Sequence, residues 1–149
     1  MNFTPATAAD LADVSSWVRT HADCQSWAGP AVSFPIVLSR LSAEIMFCQD
    51  NSFSVNTADG LAGFGQLIQL TDERYHLARI ITNPAYRGQG IARYLCTQLI
   101  NTGWQRGASV LSLNVYRNNA KAQRLYQQLG FCEQADRSDA NIIYMLNVR

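Results

Sequence analysis

The sequence predicts a mixed α/β fold whose central sheet contains a parallel pair of strands. Segments of β-forming residues alternate with segments whose apolar residues recur at helical spacing. Two of the strand segments, Arg74–Thr82 and Ser109–Tyr116, are separated by one long helical segment. A strand–helix–strand connection of this kind makes its two strands parallel. The order predicted along the chain is βααββ followed by βαβαββ.

The first half of the chain is predicted to hold two helices and then a hairpin. Thr7 and Asp10 have the spacing of a capping box, which marks the start of a helix. Glycine and proline break the chain between the two helices. Asp59 and Gly60 supply the positive φ angles of a tight turn, so the strands on either side form a hairpin. The predicted ranges are Ala8–His21 and Ile36–Ala43 for the helices, Trp27–Pro35 for the irregular segment and Ser52–Leu70 for the hairpin.

The second half is predicted to hold two further helices, each followed by a strand. Gly103 and Gly130 are the glycines expected to end these helices. Asn118 or Asn119 is expected to cap the second one, because an asparagine side chain satisfies free amides at a helix start. The predicted ranges are Gln89–Thr102 and about Asn119–Leu129 for the helices, and Phe131–Gln134 and Asn141–Val148 for the last two strands.

Length and composition place limits on the kind of protein. The chain has 149 residues, which predicts one domain over residues 1–149, and 48% hydrophobic with 15% charged residues is an ordinary globular balance. A net charge of +1 is too small to attract nucleic acid or an acidic membrane surface electrostatically, so neither is expected as a partner. The four cysteines are scattered, so we expect reduced thiols and no metal site. No leader or spanning segment is seen, and we expect a cytoplasmic monomer or homodimer.

The segment Asn83–Leu95, NPAYRGQGIARYL, places two glycines where a helix begins. A helix start offers free amides and a partial positive charge, and glycines let an anion approach them. A dinucleotide fingerprint fits poorly, because Arg93 holds the position of its third glycine. The phosphate-loop ATPase pattern is absent. A plain strand-to-helix turn is the alternative to an anion site.

Two separated segments together resemble the GNAT superfamily of N-acetyltransferases. The segment ARIITNPAYRGQGIARYLCTQLI resembles that family's acyl-CoA motif, with R-x-x-G-x-A at Arg87–Ala92. The segment LSLNVYRNNAKAQRLYQQLGF resembles its next strand and helix, with Asn119, Tyr126 and L-G-F at Leu129–Phe131. Ala92 stands where a second loop glycine is common. The resemblance implies a mostly antiparallel sheet of six to seven strands, with about four helices and a central parallel pair splayed at the cofactor site.

The resemblance also implies a binding site for acetyl-CoA, which would serve as the acyl donor, and it implies no metal. Backbone amides of the loop would hold the pyrophosphate at the helix start. The end of the preceding strand would pair with the pantetheine arm and polarise the thioester carbonyl, as an oxyanion hole does. Asn119 would cap its helix, contact the pantetheine, or do both. The residues assigned to the cofactor are Ile80, Ile81, Thr82, Arg87, Gly88, Gln89, Gly90, Ile91, Ala92, Asn119 and Tyr126.

Transfer to an amine needs a proton acceptor and a proton donor. An aliphatic amine has a pKa near 10, so only about one molecule in a thousand is neutral at pH 7. By the resemblance Tyr126 protonates the departing thiolate; it lies 126 − 119 = 7 residues after Asn119, on the same helix face. The alternative is that Tyr126 is a packed core ring.

The general base is less clearly marked. Asn114 stands where some family members carry an acid, and an amide cannot take a proton. Other members place a glutamate eleven positions before the loop, and 87 − 11 gives His76, whose ordinary pKa suits a base. A strand histidine with a structural hydrogen bond is the alternative. Asp72 and Glu73 are the fallback, acting through a water.

The acceptor pocket is predicted from the resemblance to lie along residues 17–40. Trp27 and Phe34, with Trp17, are candidates for an aromatic wall, and Arg79 with Arg40 is a candidate for holding a carboxylate, as in an amino acid or a peptide terminus. The predicted function is acetyl transfer from acetyl-CoA to a primary amine of a small molecule or peptide, by direct attack in a ternary complex. The alternative is an acyl-CoA-binding sensor or partner module with weak or no catalysis.

Overall fold

The structure, a computed structural model, describes all residues from Met1 to Arg149 as seven strands and five α-helices. The strands are β1 (Asn2–Pro5), β2 (Ser52–Thr57), β3 (Gly60–Gln69), β4 (Arg74–Thr82), β5 (Val110–Tyr116), β6 (Cys132–Glu133) and β7 (Ile142–Val148). The helices are α1 (Asp10–Trp17), α2 (His21–Ala28), α3 (Leu38–Glu44), α4 (Ile91–Gln105) and α5 (Ala120–Gln128). No helix combines the length and the apolar character needed to cross a bilayer.

The strands form one sheet in the order β1-β2-β3-β4-β5-β7-β6. The pairs β1–β2, β2–β3, β5–β7 and β6–β7 are antiparallel, and β4–β5 is parallel. The mixed sheet with a central parallel pair is therefore confirmed. The chain divides into two compact units, residues 1–66 with 79–96 and residues 67–78 with 97–149. A single domain over residues 1–149 stays a prediction.

The first unit is built on the hairpin of β2 and β3. Its core gathers one apolar stripe from each of α1, α2 and α3 against β3, as the helical spacing of those side chains requires. Gly63 of β3 lets α4 begin close to the sheet, because a Cβ there would lie 3.2 Å from Ile91 Cγ2. The core side chains include Leu11, Val14, Trp17, Trp27, Leu41, Ile45 and Phe64.

The second unit contains the parallel contact of β4 and β5. Its register runs over three residue pairs, from Arg74 with Val110 to His76 with Ser112. The antiparallel register of β5 with β7, in contrast, extends to the end of β5 at Tyr116. The parallel contact thus covers only the start of β4, and a splay of these strands at a cofactor stays a prediction.

Two of the differences from the predicted helices have a clear physical cause. The helix expected over Ala8–His21 ends at Trp17, and a separate helix α2 begins at His21, which raises the helix count from about four to five. Thr20 is extended and its Oγ1 accepts the Asp23 amide at 3.0 Å, so a second cap interrupts the helix. Gly103 does not end α4. Glycine is needed here because it leaves room for Leu111. A Cβ at residue 103 would lie only 2.7 Å from Leu111 Cδ2.

Candidate cofactor loop and active-site residues

The turn after β4 is fixed to the neighbouring strand by one asparagine. The Asn83 amide donates to the Ala62 carbonyl at 2.8 Å, and Asn83 Nδ2 donates to the Leu61 carbonyl at 3.0 Å. Asn83 Oδ1 in turn accepts the Ala85 amide at 2.9 Å. One side chain therefore sets where the chain leaves β4 and how it turns toward the glycine loop.

The two glycines of the loop adopt a backbone conformation that other residues disfavour. Gly88 and Gly90 both have φ of +79°, in the left-handed region. A Cβ at either position would meet no protein atom within 4 Å. The glycines are therefore required by the backbone path and not by packing, and the space beside them is open.

Helix α4 starts directly after this loop, and its first backbone amides have no carbonyl partner within the helix. Tyr94 N–H donates to the Gly90 carbonyl at 3.0 Å, which begins the helical hydrogen-bond pattern. The first amides of any helix precede that pattern and have no partner within it. Ile91 is buried, Ala92 is half-buried, and the loop residues Arg87 to Gly90 are exposed. This arrangement presents free amides and the positive end of a helix dipole beside two residues without side chains.

The end of β4 contains a strained residue. Arg79 has φ of +50°, which breaks the alternation of side chains along the strand. Trp27 Nε1 donates to the Arg79 carbonyl at 2.9 Å, and Arg79 NH1 donates to Gln66 Oε1 at 2.8 Å. The residues assigned to the pantetheine, Ile80–Thr82, follow immediately as the last three of β4 and are half-buried.

A cavity of about 390 Å³ lies beside α2. The rings of His21 and Phe34 meet there edge to face, with centroids 6.3 Å apart. Trp27 is not one of the lining residues, because its ring is packed in the core and is only 8% exposed. The predicted aromatic wall is therefore divided, with Phe34 at the cavity and Trp27 in the core. The lining residues are His21, Cys24, Gln25, Gly29, Pro30, Val32 and Phe34.

The candidate base His76 is held by the adjacent parallel strand. His76 is half-buried, and its Nδ1 lies 2.7 Å from Ser112 Oγ, the residue opposite it in the register. If Nδ1 donates this hydrogen bond, Nε2 carries the lone pair of a base; if the serine donates, Nε2 carries the proton. The geometry thus orients the ring, and the base role stays a prediction.

The candidate acid Tyr126 lies on the buried side of α5. Its side chain is 9% exposed, and its ring meets Phe131 edge to face with centroids 6.2 Å apart. Asn119 is the N-cap of this helix, since its Oδ1 accepts the Ala122 amide at 3.3 Å. The capping role predicted for Asn119 is therefore present, and its contact with pantetheine stays a prediction.

Two further polar residues were not found from the sequence. Gln66 is fully buried in β3, where it holds Arg79, and Ser112 holds His76. A polar residue inside an apolar strand segment is the signal that was available for each. No group of three or more His, Cys, Asp or Glu side chains is arranged to hold a metal ion.

The mixed sheet and the glycine loop at the start of α4 place the chain among the α/β proteins whose loops can bind an anion at a helix start. A sequence model of the Acetyltransferase (GNAT) family matches residues 16–131. The chain belongs to this family, which confirms the resemblance seen in the two motif segments.

Named relatives resemble the chain over part of their length. The ribosomal protein bS18-alanine N-acetyltransferase of Haemophilus ducreyi is 40% identical over 73 residues, covering 49% of this chain and 50% of the relative. The enzyme of that name from Escherichia coli is 34% identical over 82 residues, 55% of each chain. The chain thus spans about half the length of the curated relatives it matches.

Solved structures resemble the chain over nearly all of its length. The ribosomal-protein-S18-alanine N-acetyltransferase from Escherichia coli has a TM-score of 0.76 at 24% identity, covering 99% of this chain and 92% of that one. The PaiA N-acetyltransferase from Thermoplasma acidophilum, solved with coenzyme A, has a TM-score of 0.78 at 19% identity, covering 99% and 98%. At these identities the likeness shows the fold.

Proposed function

We propose that the chain is an N-acetyltransferase that moves an acetyl group from acetyl-CoA to a primary amine of a small molecule or peptide. The amine attacks directly in a ternary complex. The observation that carries this proposal is the glycine loop, whose two left-handed glycines and open surroundings lie at the start of α4. Family membership supports the same assignment.

The residues present fit the donor substrate. A diphosphate needs several amides and close approach to the backbone, and the loop from Arg87 to Ala92 offers both. Acetyl-CoA supplies the activated acyl group. The chain's part is to hold the diphosphate at the loop and the pantetheine along Ile80–Thr82. The amides of that strand end polarise the thioester carbonyl.

Proton transfer is assigned to two side chains. Tyr126 gives its proton to the leaving thiolate, the role that the family resemblance implies for this position. His76 accepts the proton of the amine through Nε2, while Ser112 orients its ring through Nδ1. Asp72 or Glu73 acting through a water is the alternative base.

The acceptor is proposed as a class. Relatives named bS18-alanine N-acetyltransferases support a peptide with an N-terminal alanine as one member of that class. A structural neighbour named spermidine N-acetyltransferase makes a polyamine a useful comparison. Neither acceptor is assigned by the geometry of this chain.

The test measures thiol release from acetyl-CoA with a panel of amines, together with calorimetric binding of coenzyme A. The panel holds free amino acids, a peptide with N-terminal alanine and spermidine. The proposal expects binding and amine-dependent release. Binding without release for any amine supports the alternative, a catalytically weak acyl-CoA sensor, for which the amide at Asn114 in place of a carboxylate is the supporting observation. Absence of binding contradicts both.

A further inference from the structure

Arg79 is a half-buried cation that is bound only by neutral groups. Its NH1 donates to Gln66 Oε1 at 2.8 Å. Gln66 Nε2 donates to the Ile45 carbonyl and to Ser52 Oγ, both at 2.9 Å. These two bonds fix the amide orientation, so the oxygen must face the guanidinium. A neutral acceptor leaves the full positive charge of Arg79 in place.

The guanidinium also has unused hydrogen-bonding capacity. Its Nε is buried and has no hydrogen-bond partner, and Arg79 forms no ion pair with any carboxylate of the chain. Burial lowers the pKa of Arg79, because the charged form is partly removed from water. A buried arginine ordinarily has an anionic partner. The chain itself supplies no anionic partner for this half-buried guanidinium.

The backbone holds Arg79 in an unfavourable conformation that sets the direction of its side chain. A φ of +50° is strained for a residue with a Cβ, and the Trp27 indole holds the carbonyl in place at 2.9 Å. Residues in such conformations cluster at ligand sites. Ile80, the first residue assigned to the pantetheine and thioester, follows Arg79 directly. The Arg79 side chain therefore starts one residue from the strand end to which we assign the thioester.

We propose that Arg79 binds a carboxylate of the acceptor, so that the acceptor is an amine that also carries a carboxylate, with a free α-amino acid as the simplest case. The planar guanidinium can donate two parallel hydrogen bonds to a carboxylate. Gln66 is the positioning residue that keeps the guanidinium in place without neutralising it. This inference rests on the proposed acetyltransferase function.

The test compares acceptor pairs that differ only in the carboxylate. Thiol release from acetyl-CoA is measured as kcat/KM for free amino acids and for their amides, with wild type, Arg79→Met and Arg79→Lys. Because each variant is compared on both members of a pair, the intrinsic reactivity of the amine cancels. Arg106→Met is the matched control, since Arg106 is an exposed arginine just after α4 and is not one of the candidate site residues. Coenzyme A affinity, measured by calorimetry for every variant, reports whether the fold and the donor site are intact.

The proposal expects wild type and Arg106→Met to prefer the acid over the amide. In Arg79→Met this preference falls by about tenfold to hundredfold, the worth of a hydrogen bond to a charged group. Arg79→Lys should keep part of this preference, because the positive charge remains although the paired N–H donors of the guanidinium are lost. Equal preference in wild type and Arg79→Met overturns the inference, and so does failure to acetylate any amino acid while coenzyme A binds. Absence of coenzyme A binding in wild type overturns the proposed function as well, which distinguishes the two failures.

Discussion

Replacement of Gly90 by alanine separates the ligand role of the loop from its backbone strain. Gly90 has φ of +79°, and a Cβ at this position meets no protein atom within 4 Å. An alanine in the left-handed region destabilises the folded state by about 1–2 kcal/mol. Alanine also restricts the unfolded chain more than glycine does, which offsets about 0.4–1 kcal/mol of this loss. We therefore expect the free energy of unfolding to fall by about 1 kcal/mol, a shift of about 2–4 °C in Tm for a chain of this size.

The effect on coenzyme A binding should be larger than the effect on stability. The new methyl group projects into the open space that we assign to the diphosphate, so the phosphate oxygens can no longer approach the amides closely. We expect Kd for coenzyme A to rise at least about tenfold, which is about 1.4 kcal/mol. Calorimetric titration of coenzyme A into each variant measures this change.

Gly107 provides a matched control within the same chain. It also has a positive φ, +95°, and open surroundings, but it follows the end of α4, outside the glycine loop. Gly107→Ala should lower the free energy of unfolding to a similar extent and leave Kd unchanged. Wild-type affinity in Gly90→Ala, or an equal loss of affinity in Gly107→Ala, would show that the loop does not contact the diphosphate.

Three further predictions concern the proton donor, the base and the thiols. Tyr126→Phe should lower kcat by about 10²–10⁴-fold, and unchanged kcat removes Tyr126 as the acid. His76→Ala should alter the pH–rate profile, and a wild-type profile removes His76 from the reaction. Burial raises the pKa of Cys96 to about 12. The thiol form therefore stabilises the fold fully below about pH 9, and this contribution is lost as pH rises toward 12, at about 1.4 kcal/mol per unit. Denaturation at several pH values should show this fall in the free energy of unfolding in wild type and a smaller fall in Cys96→Ala. In the folded protein, a thiol reagent should label only the exposed Cys48 and Cys132.

Strong local signals made much of the fold predictable. β4 was predicted to the residue, because Pro84 ends a segment of β-forming residues. Asp59 and Gly60 correctly marked the hairpin turn between β2 and β3. The break between α1 and α2 was missed because neither glycine nor proline marks it. The threonine cap that interrupts the helix, Thr20, is a weaker signal than either.

The site was predictable only where the backbone alone defines it. The glycine loop at the start of α4 follows from residue type and order, since only glycine readily takes a φ near +79°. The partners of His76 and Arg79 did not follow, because Ser112 and Gln66 are 36 and 13 residues away in sequence and meet them only through strand pairing. Trp27 shows the same limit, since spacing could not distinguish a pocket wall from a core ring bound to Arg79.

Backbone amide hydrogen exchange, measured with and without coenzyme A, tests directly whether the glycine loop holds the diphosphate. If the loop amides bind the diphosphate, exchange should slow at residues 87–92, while the amides around Gly107 should be unaffected. If exchange at residues 87–92 is unchanged at saturating coenzyme A, the loop does not bind the diphosphate.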